Sequence, residues 1–228
     1  MNSSEQLAIL HLLRLVSPAL PVGAYAYSQG LEHAIEVGWV VDKNSSRDWF
    51  IGLMKNSLAY VDLPLIFRLT NAWQNKNAEE INYWNNYLQA MRETKEFLLE
   101  DLQLGAALNR LMRSVNMASA DDWTLLATRD ISYLTLFSLA GLRCGIESRL
   151  VAMGYLWSWL ENQIAVATKT IPIGQSDGQA IISELIPLIP SIVSFSETLA
   201  DDELGAGLPG IALGSSLHEV QYSRLFRS

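Results

Sequence analysis

The segment ISYLTLFSLAGL, residues Ile131–Leu142, decides the fold class. Placed on a helix, its residues are apolar on nearly every side, and a helix of that kind lies in the interior of a domain. Apolar residues recur at helical spacing on both sides of this segment, whereas the two-residue alternation of half-buried strands is not sustained anywhere. The sequence therefore predicts an all-α protein with this helix near its centre.

Further helices are expected before and after the central one. Apolar residues three and four apart predict helices near 8–16, 49–61, 65–73, 77–92, 94–115, 121–145, 150–167, 178–183 and 192–200, and a last one after 210. Ser45 or Ser46, Thr94, and Asp121 or Asp122 are suitable N-caps. Because no repeat, low-complexity tract or linker divides the series, we expect one domain, residues 1–228, forming a bundle of about nine or ten helices.

Composition narrows the class of protein. Half of the 228 residues are hydrophobic and 18% are charged, as in a globular protein. The formal net charge of −8 disfavours nucleic acid as a partner, since phosphate binding needs clustered cations. The single cysteine, Cys144, excludes an internal disulfide framework and a cysteine-based zinc site. With no basic leader and no apolar run of roughly 20 residues, we expect a cytoplasmic protein without a membrane span.

The chain has no pattern typical of a catalytic or nucleotide-binding site. The P-loop and G-x-S-x-G motifs are absent, and GAGLPG at 205–210 lacks a strand–loop–helix setting. Acidic pairs such as Glu100–Asp101 are expected at helix ends or on solvated faces, where carboxylates cap and solubilise. We therefore expect no enzyme activity and no cofactor.

The histidines give no firm metal site either. His11, His33 and His218 lie far apart in sequence, so no two have the i, i+4 spacing of helical metal ligands. His33 and Glu36 are three residues apart on one helix and could share a metal. An ordinary helix histidine is the favoured interpretation, and no resident metal is expected.

SPALPVGAYAYSQGLEHAIEVGWV, residues 17–40, is the most unusual segment of the chain. Pro18 and Pro21 fix two φ angles and bar a helix there, and Gly23 permits a turn. Tyr25 and Tyr27 then project from non-helical backbone, and a helix over 30–37 ends at a glycine. Two interpretations stay open: an elaborate helix connection, or a stiff loop that presents aromatic residues to a partner or folds over a groove.

The C-terminal tail, residues 218–228, is the second unusual segment. HEVQYSRLFRS carries two arginines in an acidic chain, with aromatic and aliphatic residues between them. Such residues are typical of interface hot spots. Docking to a partner is favoured, and a packed last helical turn is the alternative.

Four motifs, in order along the chain, resemble those of UreF-type urease accessory proteins. They are the segment 17–40, AMRETKE at 90–96, YLWSWLENQIAVATKTIPIGQSDGQ at 155–179, and the tail. Together they span residues 7–228. The resemblance implies an all-α, dimeric, non-enzymatic protein. It also implies that this protein binds UreD (also called UreH) and with it recruits the GTPase UreG to apo-urease, for lysine carbamylation and nickel delivery.

The same resemblance assigns partner-binding residues. Those facing UreD/UreH are Pro18, Pro21, Gly23, Tyr27, Ser28, Gln29, Gly30 and Glu32 in the loop, and Tyr222, Ser223, Arg224, Phe226 and Arg227 in the tail. Those facing UreG are Lys169, Pro172, Gly174 and Gln175, with Lys169 meeting acidic groups. An ordinary solvated lysine at a helix C-terminus is the alternative for Lys169.

Two other functions compete with the scaffold. One is a GTPase-activating regulator of UreG that supplies an arginine finger, Arg92 or Arg224, which can raise GTPase rates by roughly 10³–10⁵. The other is a carrier of apolar ligands, suggested only by seven Trp, eight Tyr and six Phe. Aromatic residues at helical spacing are more often core, so a large cavity would be needed to support a carrier.

Overall fold

The protein, described from a computed structural model that covers residues 2–205 and 207–228, consists of helices and connecting turns. Within these residues there is no strand, which confirms the all-α prediction. The α-helices are α1 Ser3–Leu15, α2 Leu31–Glu36, α3 Lys43–Leu53, α4 Asp62–Gln74, α5 Ala78–Ala90, α6 Lys95–Ser114, α7 Ala120–Thr124, α8 Tyr133–Arg143, α9 Ser148–Thr170, α10 Gln175–Leu185, α11 Ile189–Thr198 and α12 Pro209–His218. Ten of these have ten or more residues, in agreement with the expected number.

Shorter helical pieces join some of these helices. A π-helical segment, Met54–Leu58, extends α3, and 3-10 turns occupy Ala24–Ala26, Ile186–Leu188 and Asp201–Glu203. Pro187 lies within the turn Ile186–Leu188 and Pro190 is the second residue of α11, and neither has an N–H to continue the helical hydrogen bonding from α10.

Helix α8 lies at the centre, as its composition predicts. It packs against α4, α5, α6, α9 and α1, and its Leu134, Phe137 and Leu139 are fully buried. Helix α6 approaches it so closely that a Cβ added to Gly105 would lie 1.9 Å from the carbonyl oxygen of Ile131. Only glycine fits there, so Gly105 fixes how α6 crosses the start of α8.

The single helix predicted over 121–145 is wrong. Helix α7 is short and capped by Ser119, and irregular backbone separates it from α8. Two asparagines of α5 satisfy that backbone: Asn82 bonds Leu125 and Ala127, and the Asn85 carbonyl accepts the Ser132 N–H at 3.0 Å. Side-chain bonds to the backbone here compete with helix formation.

The N-cap predicted for α3 is also wrong. Neither Ser45 nor Ser46 caps it; Asp42 does, because its carboxylate accepts the Ser45 N–H at 2.8 Å. Thr94 caps α6 as predicted, accepting the N–H of Phe97 at 3.2 Å.

One helical stretch, Gln175–Thr198, is long and apolar enough to be a candidate membrane span, with a mean hydropathy of 1.4. A bent pair, Lys43–Leu58 with Asp62–Gln74, meets the same criteria jointly. In the first stretch Leu185 and Val193 are buried in the core, and Glu184 forms ion pairs with α3. The buried core helices of globular proteins commonly meet the same criteria.

Candidate partner-binding surface

The tail folds back along the segment that contains the two prolines. After α12, the N–H of Arg227 donates to the carbonyl of Ala26 at 2.8 Å, and the N–H of Ser28 donates to the carbonyl of Ser228 at 2.9 Å. The end of this loop is therefore in direct contact with the end of the tail, and residues 17–32 and 218–228 together are called here the loop–tail surface. The tail is neither a free extension nor a continued helical turn.

A buried acid on α2 holds the tail backbone. The Glu32 carboxylate accepts the N–H of Leu225 at 2.7 Å and of Phe226 at 3.0 Å. It also lies 3.1 Å from Nε2 of His218, whose Nδ1 is 2.9 Å from Glu96. His218 is fully buried, so this contact joins α2, α6 and α12 beneath the tail.

Arg224 closes the network from outside. Its guanidinium donates to Glu96 at 2.7 Å and to the carbonyl of Arg227 at 2.8 Å. The arginine thus fixes the turn of the tail while part of it stays exposed to solvent.

One turn further along α6, Glu100 and Asp101 are buried, with only 4% and 5% of their surface exposed. The expectation that every acidic pair lies at a helix end or on a solvated face is wrong here. Glu100 accepts from the Gln29 amide at 2.6 Å and from the Ser228 hydroxyl at 2.8 Å. Burial raises the pKa of the Glu100 carboxyl to about 7, although these two hydrogen bonds act to lower it.

Beside Glu100, a cavity of about 260 Å³ lies between α4, α6, α9 and the chain before α12. In its wall Arg92 binds Asp62 at 2.9 Å and approaches Asp101 to 3.5 Å, while the Tyr155 hydroxyl donates to Asp62 at 2.9 Å. Nε of Arg92 and Oδ2 of Asp101 are buried without a partner among the residues described. Water can satisfy such groups in a polar cavity of this size.

Comparison with known proteins decides the family. The UreF family model matches residues 40–186. The urease accessory protein UreF of Teredinibacter turnerae is 47% identical over 96% of this chain and 98% of its own length. Those of Hahella chejuensis and Chromohalobacter salexigens are 46% and 43% identical, covering 97% and 100% of this chain and 99% and 97% of their own. The chain belongs to the UreF family.

In this UreF-family chain the predicted partner-binding residues divide into a supporting and an exposed set. Tyr27, Ser28, Gly30, Glu32 and Phe226 are buried, and Gln29 is half-buried. Exposed are Pro18, Pro21, Gly23, Lys169, Pro172, Gly174, Gln175, Tyr222, Ser223, Arg224 and Arg227. The buried members hold the shape of the surface, while the exposed ones are available to a partner.

Tyr27 illustrates the supporting role. Its hydroxyl donates to Gln103 of α6 at 2.6 Å, and its carbonyl accepts from Asn162 of α9 at 3.1 Å. Gly30 has φ 80°, a left-handed conformation that favours glycine, just before α2 begins. The loop is therefore held against two long helices rather than projecting freely.

The turn that follows α9 adjoins the tail. Nζ of Lys169 lies 6.0 Å from the centre of the Phe226 ring, within the range of a cation–π contact. The residues that the resemblance divides between UreD/UreH and UreG therefore meet at Phe226. Pro172, Gly174 and Gln175, which follow Lys169 in the chain, are exposed.

Sequence reasoning missed the residues beneath the tail. Glu96, Glu100 and Gln103 lie at i, i+4 and i+7 of α6, so they share one face, and all three contact the loop or the tail. This polar stripe was the available signal. From the sequence alone this stripe is equally consistent with a solvent-exposed face, because the tail that covers it is more than 100 residues away in the sequence.

Proposed function

We propose that this UreF-family protein is a non-enzymatic scaffold in urease maturation. In this proposal it binds UreD/UreH, and the pair recruits the GTPase UreG to apo-urease for lysine carbamylation and nickel delivery. Family membership supports the role as a urease accessory protein. The loop–tail surface supports a docking role, because it is built on buried hydrogen bonds yet exposes large side chains.

The exposed side chains of the tail carry this proposal. Val220 and Leu225 are 81% and 73% exposed, and Tyr222 is fully exposed. Arg224 and Arg227 lie beside them. Apolar and aromatic side chains flanked by arginine are the composition that protein interfaces favour. The backbone that carries them is already ordered, which lowers the entropic cost of binding.

We further propose that the protein is a cytoplasmic homodimer that binds neither nucleic acid nor a membrane. The acidic net charge supports the exclusion of nucleic acid. Leu7, Leu10 and Leu13 of α1 are each more than half exposed, which is unusual for a monomer and fits a further interface. Light scattering tests the dimer, because the molar mass of the protein in solution should be twice that of one chain.

A GTPase-activating role is the second candidate, and the positions of the two arginines disfavour it. Arg92 is partly buried and paired with Asp62 and Asp101, and Arg224 is paired with Glu96. Either arginine would have to leave a carboxylate to reach a nucleotide. Substituting Arg224 separates the roles: a scaffold loses complex formation, whereas an activator keeps binding and loses stimulation of GTP hydrolysis.

Pull-down by UreD/UreH tests the scaffold. Replacing Tyr222 and Leu225 with alanine removes exposed side chains and leaves the N–H of Leu225 on Glu32. We expect this variant to fold normally and to lose binding. Tyr83→Ala, at a 57% exposed tyrosine on α5, is the matched control and should bind as the wild type does. Equal retention of the tail variant and the control would contradict the docking role.

A further inference from the structure

Each ring nitrogen of His218 faces a carboxylate. Its Nδ1 faces one carboxylate, Glu96, and its Nε2 faces another, Glu32, at 2.9 and 3.1 Å. Ionised carboxylates can only accept hydrogen bonds, and a neutral imidazole has a single N–H. In one of the two contacts, the lone pair of a ring nitrogen would then face a lone pair of a carboxylate oxygen. The arrangement is satisfied only when the three groups together hold one proton beyond that of a neutral imidazole.

The neighbouring charges make this proton consequential. Arg224 contacts Oε1 of Glu96, so an imidazolium and a guanidinium together balance Glu32 and Glu96. Without the proton, a negative charge stays uncompensated at a site where His218 is fully buried, and such a charge is costly. The other ionisable groups on the elements around His218 are His33 and Glu36 on α2, Lys95, Glu100, Asp101, Arg110 and Arg113 on α6, and Glu219, Tyr222 and Arg227 in the tail.

The proton is coupled to the tail through a single oxygen. Oε2 of Glu32 contacts Nε2 of His218 and accepts the N–H of Phe226, while Oε1 accepts the N–H of Leu225. The orientation of this carboxylate therefore depends on His218, and the tail backbone depends on the carboxylate. A neutral His218 keeps one N–H, so one of the two glutamates then faces a lone pair of the ring. If that glutamate is Glu32, the backbone hydrogen bonds from Leu225 and Phe226 are weakened, and if it is Glu96, the carboxylate that holds Arg224 is displaced.

We propose that Glu32, His218 and Glu96 form a proton-dependent latch that holds residues 224–228 against the body of the protein and releases them on deprotonation. For release of one proton, the ratio of seated to released tail falls by up to tenfold per pH unit above the midpoint. The latch regulates the loop–tail surface of the proposed function, but it is a property of the isolated chain. Its failure would leave the scaffold proposal standing, and the reverse also holds.

Nuclear magnetic resonance of the full-length, ¹⁵N-labelled chain tests the latch from about pH 6 to about pH 9, the range in which a histidine titration is accessible. The ring ¹⁵N shifts of His218 report its protonation. The heteronuclear Overhauser effects of the Leu225 and Phe226 amides report whether the tail is seated. We expect both nitrogens protonated while the amides are rigid, and both signals to change at the same pH. A neutral His218 ring under a rigid tail, or a tail equally rigid throughout, would overturn the proposal.

Glu96→Gln provides a second test of the latch, because it removes the carboxylate that faces Nδ1 of His218. Its amide oxygen can keep the bond to Arg224, and its NH₂ group replaces the oxygen that faces Nδ1, so a neutral imidazole suffices. The tail should then stay rigid across the range, whereas a release as in the wild type would count against the latch. His11→Gln, on α1, controls for loss of a histidine, and Glu100→Gln removes the second titrating group that contacts the tail. Release should persist in both, and its loss in either would overturn the assignment.

Discussion

Replacing Glu100 with glutamine should stabilise the protein at neutral and alkaline pH. The Glu100 carboxyl is buried on α6, and desolvation raises its pKa from the ordinary 4.5 to about 7. Below pH 4.5 the carboxyl is neutral in both folded and unfolded chains. Between 4.5 and 7 the unfolded chain ionises first, so folding stability falls as pH rises through this window.

The magnitude follows from the difference between the two pKa values. A shift from 4.5 to about 7 corresponds, at about 1.4 kcal/mol per unit, to roughly 3 kcal/mol of destabilisation above pH 7. Glutamine retains the size and an acceptor oxygen and cannot ionise. Glu100→Gln should therefore match the wild type at acid pH and exceed it by up to about 3 kcal/mol at about pH 8.

Urea unfolding followed by far-UV circular dichroism, at about pH 4.5 and about pH 8, measures this difference. Glu36→Gln, at an exposed acid at the end of α2, is the matched control for the loss of one carboxylate. If Glu100→Gln is less stable than the wild type at both pH values by the same amount, Glu100 is not destabilised by ionisation and the reasoning fails.

Three further substitutions test the packing that positions the surface. Gly105→Ala should destabilise by more than about 2 kcal/mol in urea unfolding, since its methyl group would overlap the backbone of Ile131, whereas Gly52→Ala, with open space around it, should not. Arg92→Leu should cost about 3–5 kcal/mol because it leaves Asp62 and Asp101 buried without their cation, and a cost near zero would contradict a stabilising role for these ion pairs. Thr94→Ala should cost about 1–2 kcal/mol, from a lost N-cap and a lost 2.7 Å bond to Ser215, and Thr94→Ser should recover most of it in the same assay.

Local patterns predicted the helices well. The apolar run of α8 and the Thr94 cap of α6 depend on neighbouring residues alone, so both can be predicted from the sequence. The break between α7 and α8 depends on Asn82 and Asn85, about 45 residues earlier, and was missed.

The candidate surface could be predicted only as two separate segments. The tail and the proline-containing loop each stood out by composition, and the structure brings them together through Ser28, Glu32 and Ser228. The loop residues and the tail residues that bond each other are about 200 positions apart in the sequence, and no local pattern encodes such a pairing. Glu96 and Glu100 were missed for the same reason, since acids on a helix are usually solvated.

Assembly with UreD/UreH and UreG is the most direct test of the proposed scaffold role. The full chain would be mixed with UreD/UreH and then with UreG, and each mixture resolved by size-exclusion chromatography with light scattering. We expect the chain to form a complex with UreD/UreH that then retains UreG, and the variant with Tyr222→Ala and Leu225→Ala to remain alone at its own mass. Failure of the full chain to bind UreD/UreH, or binding undiminished by those substitutions, would contradict that role.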